Sequence, residues 1–234
     1  MKLAAFLSAI VLLGLHALGQ TNPPADQQVA VPTVTFTLDW PGADPEHYVI
    51  AIEYNGNGSY ESSGRKSAPQ SNVYTTKFSV TEGTRQRIFE TARTLKYFNS
   101  DFDYKKKKVA FTGNKVLAYA DASRHYQSSY NWSDDATVRQ LTDLMQALGA
   151  TLEFGRSLEY LHRYDRLGLN EELKRVDELA AEKQLAELQV LAPQLEQIAA
   201  DANVMEIARQ KARKILQRAN AGITAAHSPS AAQQ

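Results

Sequence analysis

Residues 33 to 40 alternate strictly, with Val34, Phe36, Leu38 and Trp40 on one side and Thr33, Thr35, Thr37 and Asp39 on the other. A period of two places successive side chains on opposite faces of a strand, and no helix gathers these four apolar residues on one face. The segment reads as a half-buried strand and commits the chain around it to a sheet. Pro41-Gly42-Ala43-Asp44-Pro45 is a turn. Tyr48, Ile50, Ile52 and Tyr54 repeat the alternation. Asn55-Gly56-Asn57-Gly58 supplies hairpin residues that tolerate positive φ, and Ser59 to Ser63 return. Residues 64 to 71 form a loop, and Tyr74, Thr76, Phe78 and Val80 mark another strand.

The period then lengthens. Ser79 and Glu82 have the spacing of a capping box, and Ile88, Phe89, Ala92, Leu95 and Phe98 fall on one helical face. Val109 and Phe111 lead into a second hairpin turn at Gly113-Asn114, with Val116 to Ala120 returning. Tyr126, Ser128, Tyr130 and Trp132 give one more strand. Ser133 or Asp134 caps a second helix that buries Val138, Leu141, Leu144, Met145 and Leu148. Residues 33 to 150 thus read twice as a strand group followed by a helix.

From residue 151 to 219 the β-branched alternation stops, and Leu, Ala, Glu, Lys, Gln and Arg, all good helix formers, dominate. Asn170 with Glu171 and Glu172 starts a helix whose stripe is Leu173, Val176, Leu179 and Ala180. Pro193 opens another at its first turn, and Val204, Ile207, Ala208, Ile215 and Leu216 line the last. The fold class is α+β: an antiparallel or mixed sheet body with two packed helices, then an all-helical C-terminal region. Residues 220 to 234 read as a frayed tail.

The N-terminus fixes the expected compartment. Lys2 precedes the apolar run Leu3 to Leu15, and Ala17-Leu18-Gly19 places small residues where a signal peptidase cleaves. Residues 1 to 19 read as a secretory signal, so the chain is expected to be periplasmic or extracellular after cleavage near Gly19. A polar, proline-bearing leader follows over residues 20 to 32. The absence of cysteine excludes disulfides, thiolate metal sites and a cysteine nucleophile. An exported fold held by its core alone points to a bacterial envelope. The formal net charge of zero gives no field for nucleic acid.

Candidate chemistry is sparse. Gly56-Asn57-Gly58 lacks a third glycine and leads into a strand, not the helix N-terminus that a phosphate needs. Ser63-Gly64-Arg65-Lys66 has acyl-enzyme spacing but sits in a loop. His47, His125, His162 and His227 supply no convergent ligand set. Asp101 and Asp103 open like a calcium loop, but Lys105 occupies the next acidic position. No catalytic, cofactor-binding or metal-binding residue is assigned, and no cofactor is expected. Lys105, Lys106, Lys107 and Lys108 are the densest charge run, read as a solvated sheet rim or an anionic docking point. Trp40, Tyr48, Tyr54, Tyr126, Tyr130 and Trp132 cluster in strands and their ends. They line either the core or, with the lysines, a binding surface. Residues 207 to 218 carry five bases and no acid, while 171 to 206 carry nine acids and three bases. The basic helix therefore pairs with its acidic neighbours or lies on an anionic surface.

The stretch from Val34-Thr35-Phe36-Thr37-Leu38-Asp39-Trp40-Pro41-Gly42 through His47-Tyr48 and Gly58-Ser59-Tyr60 to Phe111-Thr112-Gly113 resembles a group of uncharacterised exported bacterial proteins. Glu171-Glu172-Leu173-Lys174 extends the likeness. In outline the chain is similar to small domains of unknown function built from a strand hairpin, a helix and a second hairpin. The resemblance brings no activity, cofactor or functional residue. The expectation is an exported, non-catalytic binding or scaffolding protein of the bacterial envelope, with residues 151 to 219 contacting a protein partner or a second copy. Two readings stand beside it. One is a cell-wall or polysaccharide hydrolase using Glu46, Glu53, Asp101 or Asp103; the other is peripheral membrane binding through Lys105 to Lys108 and the basic helix, the less favoured of the contacts.

Overall fold

The computed structural model describes residues 30–63 and 73–227. The signal, most of the leader, Gly64 to Lys66 of the serine–lysine motif and the last residues of the tail lie outside these. Six strands form one antiparallel sheet in the order β4-β3-β2-β1-β5-β6. They are β1 (Thr33–Asp39), β2 (His47–Glu53), β3 (Asn57–Ser62), β4 (Tyr74–Ser79), β5 (Asn114–Ala120) and β6 (His125–Tyr130).

The alternation of β1 sets the register. Val34 lies opposite Ile52 and Tyr119, Phe36 opposite Ile50 and Leu117, and Leu38 opposite Tyr48 and Lys115. All of these are buried on one face, under α1 (Glu82–Thr94) and the first half of α2 (Ala136–Tyr164). The opposite face, with Thr33, Thr35 and Thr37 at its centre, is only half-buried.

Both hairpin glycines are used, for different reasons. Gly56 takes the turn at φ +89°. Gly58 lies inside β3 under the Phe78 ring, which would sit 2.4 Å from any Cβ there, so only glycine fits.

Three local expectations are corrected. The N-cap of α1 is Thr81, whose hydroxyl accepts from the Thr84 N–H at 3.4 Å, because Ser79 is still in β4. The N-cap of α2 is Asp135, which accepts from Thr137 and Val138 at 2.7 and 3.3 Å; Ser133 instead accepts from the Asp135 N–H. Val109 and Phe111 form no strand. The segment before Gly113 is held instead by side chains: Asn131 accepts from the Thr112 N–H at 2.8 Å and donates to the Ala110 carbonyl at 2.9 Å. The Lys115 ammonium, buried on β5, donates to the carbonyls of Thr112, Gly113 and Asn131 at 2.8–2.9 Å. With those groups satisfied, Phe111 is left 58% exposed. The true hairpin joins β5 to β6 around Asp121, which accepts from the Ser123 and Arg124 N–H groups. The lysine run accordingly lies in a loop, not on an edge strand.

α2 has 29 residues and is about 43 Å long at 1.5 Å per residue, so it serves both halves of the molecule. Buried side chains as far as Leu152 join the sheet core. Phe154 and Leu158 join a second core with α3 (Leu169–Ala181), α4 (Ala192–Ala200) and α5 (Glu206–His227). Leu173, Val176, Leu195, Ile198, Ala208 and Ile215 fill it; Ile207, expected on the buried stripe, is exposed. Pro193 falls in the first turn of α4.

The basic run of α5 meets acids. Lys214 and Arg218 reach Asp177 at 2.7 and 2.6 Å, and Arg209 and Arg213 pair with Glu206. One carboxylate fastens the halves together. Glu187, between α3 and α4, accepts from the Thr81 N–H at 2.6 Å and hydroxyl at 2.9 Å, and from the Thr84 hydroxyl. It therefore sits at the N-terminus of α1, where a negative charge is favoured. Among the described residues no helix is long and apolar enough to cross a membrane.

Candidate functional site

Where the sheet meets α2 and α3, the chain leaves a cleft of about 290 Å³. Its walls come from Leu38 and Trp40 at the end of β1, Ala43 to Pro45 in the turn, Tyr48 on β2, Gln146 to Phe154 on α2, and Glu172 and Arg175 on α3. The cleft lies at the junction of the two cores, a common place for small-molecule sites.

Gly149 makes room for the ring of Tyr48. A Cβ there would stand 3.1 Å from that ring, so this glycine in mid-helix exchanges helix propensity for close packing. The Tyr48 ring lies 6.1 Å from Phe36 and 5.8 Å from Tyr60, and the side chain is 7% exposed. Its hydroxyl forms no hydrogen bond among the described residues.

Glu153 enters from α2. Its Oε1 accepts from the Tyr60 hydroxyl at 2.8 Å and the Ser62 hydroxyl at 2.6 Å, tying the helix to β3. Its Oε2 is buried without a hydrogen bond, and the nearest cation, Arg156, is 3.9 Å away. Arg156 stacks over Tyr74 at 5.2 Å and donates to the Ser63 carbonyl at 3.2 Å. Burial, and then the charge of Glu153, push the phenols of Tyr48 and Tyr60 far above the ordinary tyrosine range. Both phenols therefore keep their protons, and that of Tyr60 is donated to Glu153. On the other wall Glu172, 8% exposed, accepts from Arg175 at 2.9 Å, and the Arg175 guanidinium lies over Phe154 at 5.5 Å. Three acids and one base therefore line the cleft.

The aromatics read as either core or a binding surface are spread over several places. Trp40 and Tyr48 meet in this cleft. Tyr130 is core, 3% exposed and hydrogen-bonded to Thr142 at 2.6 Å. Tyr54, past the far end of β2, packs on Phe89 and Arg85. Tyr126 is exposed on edge strand β6. Trp132 packs on Tyr104 at 4.9 Å and under Arg139 at 5.5 Å. Lys105 and Lys106 pair with Asp101 and Asp134 at 2.5 and 3.0 Å, while Lys107 and Lys108 are exposed.

The acids weighed for hydrolysis have separate local partners. Glu46 accepts from the Gly42 N–H, Glu53 from Asn55, Asp103 from the Asn131 N–H, and Asp101 from Lys105. Glu46 and Glu53 stand at opposite ends of β2. His47 pairs with Asp39 at 2.5 Å and His162 with Asp201 at 2.9 Å. Among the described residues no three histidines or acids converge to hold a metal ion.

Sequence reasoning missed Gln146, Glu153, Glu172 and Arg175, which look like ordinary helix surface. Gly149 in an otherwise helical run was the available signal, since a glycine there marks a close approach. No protein-family model matches the chain, and no curated protein matches it.

Proposed function

We propose that the chain is an exported, non-catalytic binding protein of the bacterial envelope and that the cleft beside Trp40 is its binding site. The carrying observation is the lining itself. Apolar walls from Leu38, Trp40, Pro45 and Phe154 surround a few polar side chains, among them Tyr48, Gln146 and Glu153. That is the ordinary make-up of a small-molecule site. The export reading is supported by the charged start, apolar run and small residues of positions 1 to 19. A contact of the helical half with a partner or second copy is part of the proposal, supported by the exposure of Tyr164 and Leu167 at the turn from α2 to α3.

The test fills the cleft. Ala150 lines it from the exposed side of α2, so Ala150→Phe occupies the cleft without entering the core. Mass spectrometry would compare the small molecules retained by each protein from an envelope extract. A compound held by the unsubstituted protein and lost from Ala150→Phe supports the reading; identical retention refutes it.

A second reading, hydrolysis of a sugar polymer, draws on the two carboxylates Glu153 and Glu172 in one cleft. Turnover of a chromogenic glycoside that disappears in both Glu153→Gln and Glu172→Gln would replace the first reading with this one.

A further inference from the structure

We propose that the half-buried sheet face centred on Thr35 is an interface between two copies of this chain, packed sheet against sheet. The register sets its side chains in rows. On the central strands β2, β1 and β5, one row is Val49, Thr37 and Val116, and the next is Ala51, Thr35 and Ala118. Thr33 and Ala120 continue the pattern towards one end. None of these residues is charged, and none belongs to either core. An antiparallel sheet that turns a face to water ordinarily places polar and charged side chains there. Short methyl-bearing side chains are instead what allows two sheets to close to about 10 Å.

A second copy is the occupant because the face is complementary to itself. A two-fold axis lying between the sheets and running across the strands sets each strand over its own copy, direction reversed. The two central rows then exchange. Val49 comes over Ala51 of the copy, Val116 over Ala118, and Thr37 over Thr35, so a larger side chain meets a smaller one wherever the two differ. On the flank Glu61 comes over Ser59, and Lys77 over Thr75. Glu61 of one copy and Lys77 of the other stand on neighbouring strands; both are exposed and without an ion pair among the described residues. The receiving hollow is already present: Ala51 and Ser59 line a depression of about 490 Å³ with Lys77 beside them, where Val49 and Glu61 of the copy arrive. The other charges of the face lie at strand ends. Asp39 pairs with His47 at 2.5 Å, Glu53 accepts from Asn55 at 2.9 Å, and His125 begins edge strand β6. The offset of about 30° between packed sheets shifts the corners and leaves the centre in place.

Six strands about 4.8 Å apart and about 20 Å long give the face about 600 Å². Two copies bury about 1,200 Å², the lower bound of a stable interface, so the dimer is expected to dissociate on dilution. Sedimentation velocity of the purified protein, from micromolar to sub-millimolar concentration, follows it. Thr35→Lys places an ammonium in the dry centre twice and is expected to weaken the dimer at least about a hundredfold. Circular dichroism checks that this variant folds. Glu61→Lys and Lys77→Glu are each expected to weaken the dimer about three- to tenfold, and the double exchange to restore most of it. Should Thr35→Lys fail to fold, the exchange on exposed Glu61 and Lys77 still decides.

A monomer at every concentration overturns the proposal. A dimer that survives folded Thr35→Lys overturns it too, as does a double exchange that dimerises no better than either single variant. A dimer lost in Leu167→Glu but kept in Thr35→Lys places the contact on the helical half instead. The cleft beside Trp40 is lined from the α2 side of the sheet, so none of these outcomes touches its reading. Thr35→Lys is expected to retain whatever compound the unsubstituted protein retains.

Discussion

Removing the Glu187 carboxylate tests how the two halves are fastened. It receives the Thr81 N–H at 2.6 Å, the Thr81 hydroxyl at 2.9 Å and the Thr84 hydroxyl, all at the first turn of α1. Glu187→Ala leaves the backbone amide half-sheltered without an acceptor, at about 1–3 kcal/mol. It also removes a charge from the helix N-terminus, at about 0.3–1 kcal/mol. The hydroxyls can turn to water or to neighbouring carbonyls, so little is added for them. The expected loss is about 2–3 kcal/mol, or roughly 4–12 °C in melting temperature for a chain of this size. Urea unfolding followed by circular dichroism measures the loss, and amide exchange locates it. Protection should fall first in α1 and in the segment from Gln184 to Leu191. A double-mutant cycle with Thr84→Ala should return a coupling of about 0.5–2 kcal/mol. A total loss below about 0.5 kcal/mol, the usual size of a surface change, would refute the reasoning.

Other consequences follow from the same geometry. Lys115→Met strips a donor from three carbonyls and should cost about 2–4 kcal/mol in urea unfolding, with the loop before Gly113 becoming sensitive to protease. Lys96, Tyr97 and Phe98 all hold left-handed backbone, at φ 54°, 58° and 66°. Because the Lys96 side chain is exposed, Lys96→Gly should stabilise by up to about 1 kcal/mol, read as a rise in melting temperature. Burial, aided in Tyr119 by its bond to Asp121, pushes the phenols of Tyr119 and Tyr130 up to about 12. The folded state therefore holds these protons more tightly than the unfolded chain, whose phenols titrate near 10. Their stabilising contribution is complete below about pH 10 and is lost as pH rises towards 12. An ultraviolet absorbance titration should show the exposed tyrosines ionising first and these buried ones only with alkaline unfolding; simultaneous ionisation would contradict their burial.

The sheet was readable wherever one face is buried. The parity of Val34, Phe36 and Leu38 carries across the register to Ile50, Ile52 and Tyr48, so even the burial of Tyr48 was implied by its strand-mates. The same parity places Tyr130 under α2. Val109 and Phe111 misled because two apolar residues at period two look alike in a strand and in a loop tied down by Asn131 and Lys115. The caps moved by one or two residues because Ser, Thr and Asp compete at each helix start, and neighbouring strand pairing decides among them. The cleft was the least legible feature. It is assembled from Trp40, Glu153 and Glu172, residues far apart in sequence and individually unremarkable, and their convergence depends on how α2 and α3 pack.

Amide exchange, with and without the small-molecule fraction of an envelope extract, tests the cleft most directly. Exchange is expected to slow around Trp40 and from Gln146 to Phe154, and to stay unchanged around Tyr126 and Lys107. Protection at those distant positions, or no change at the cleft, would contradict it.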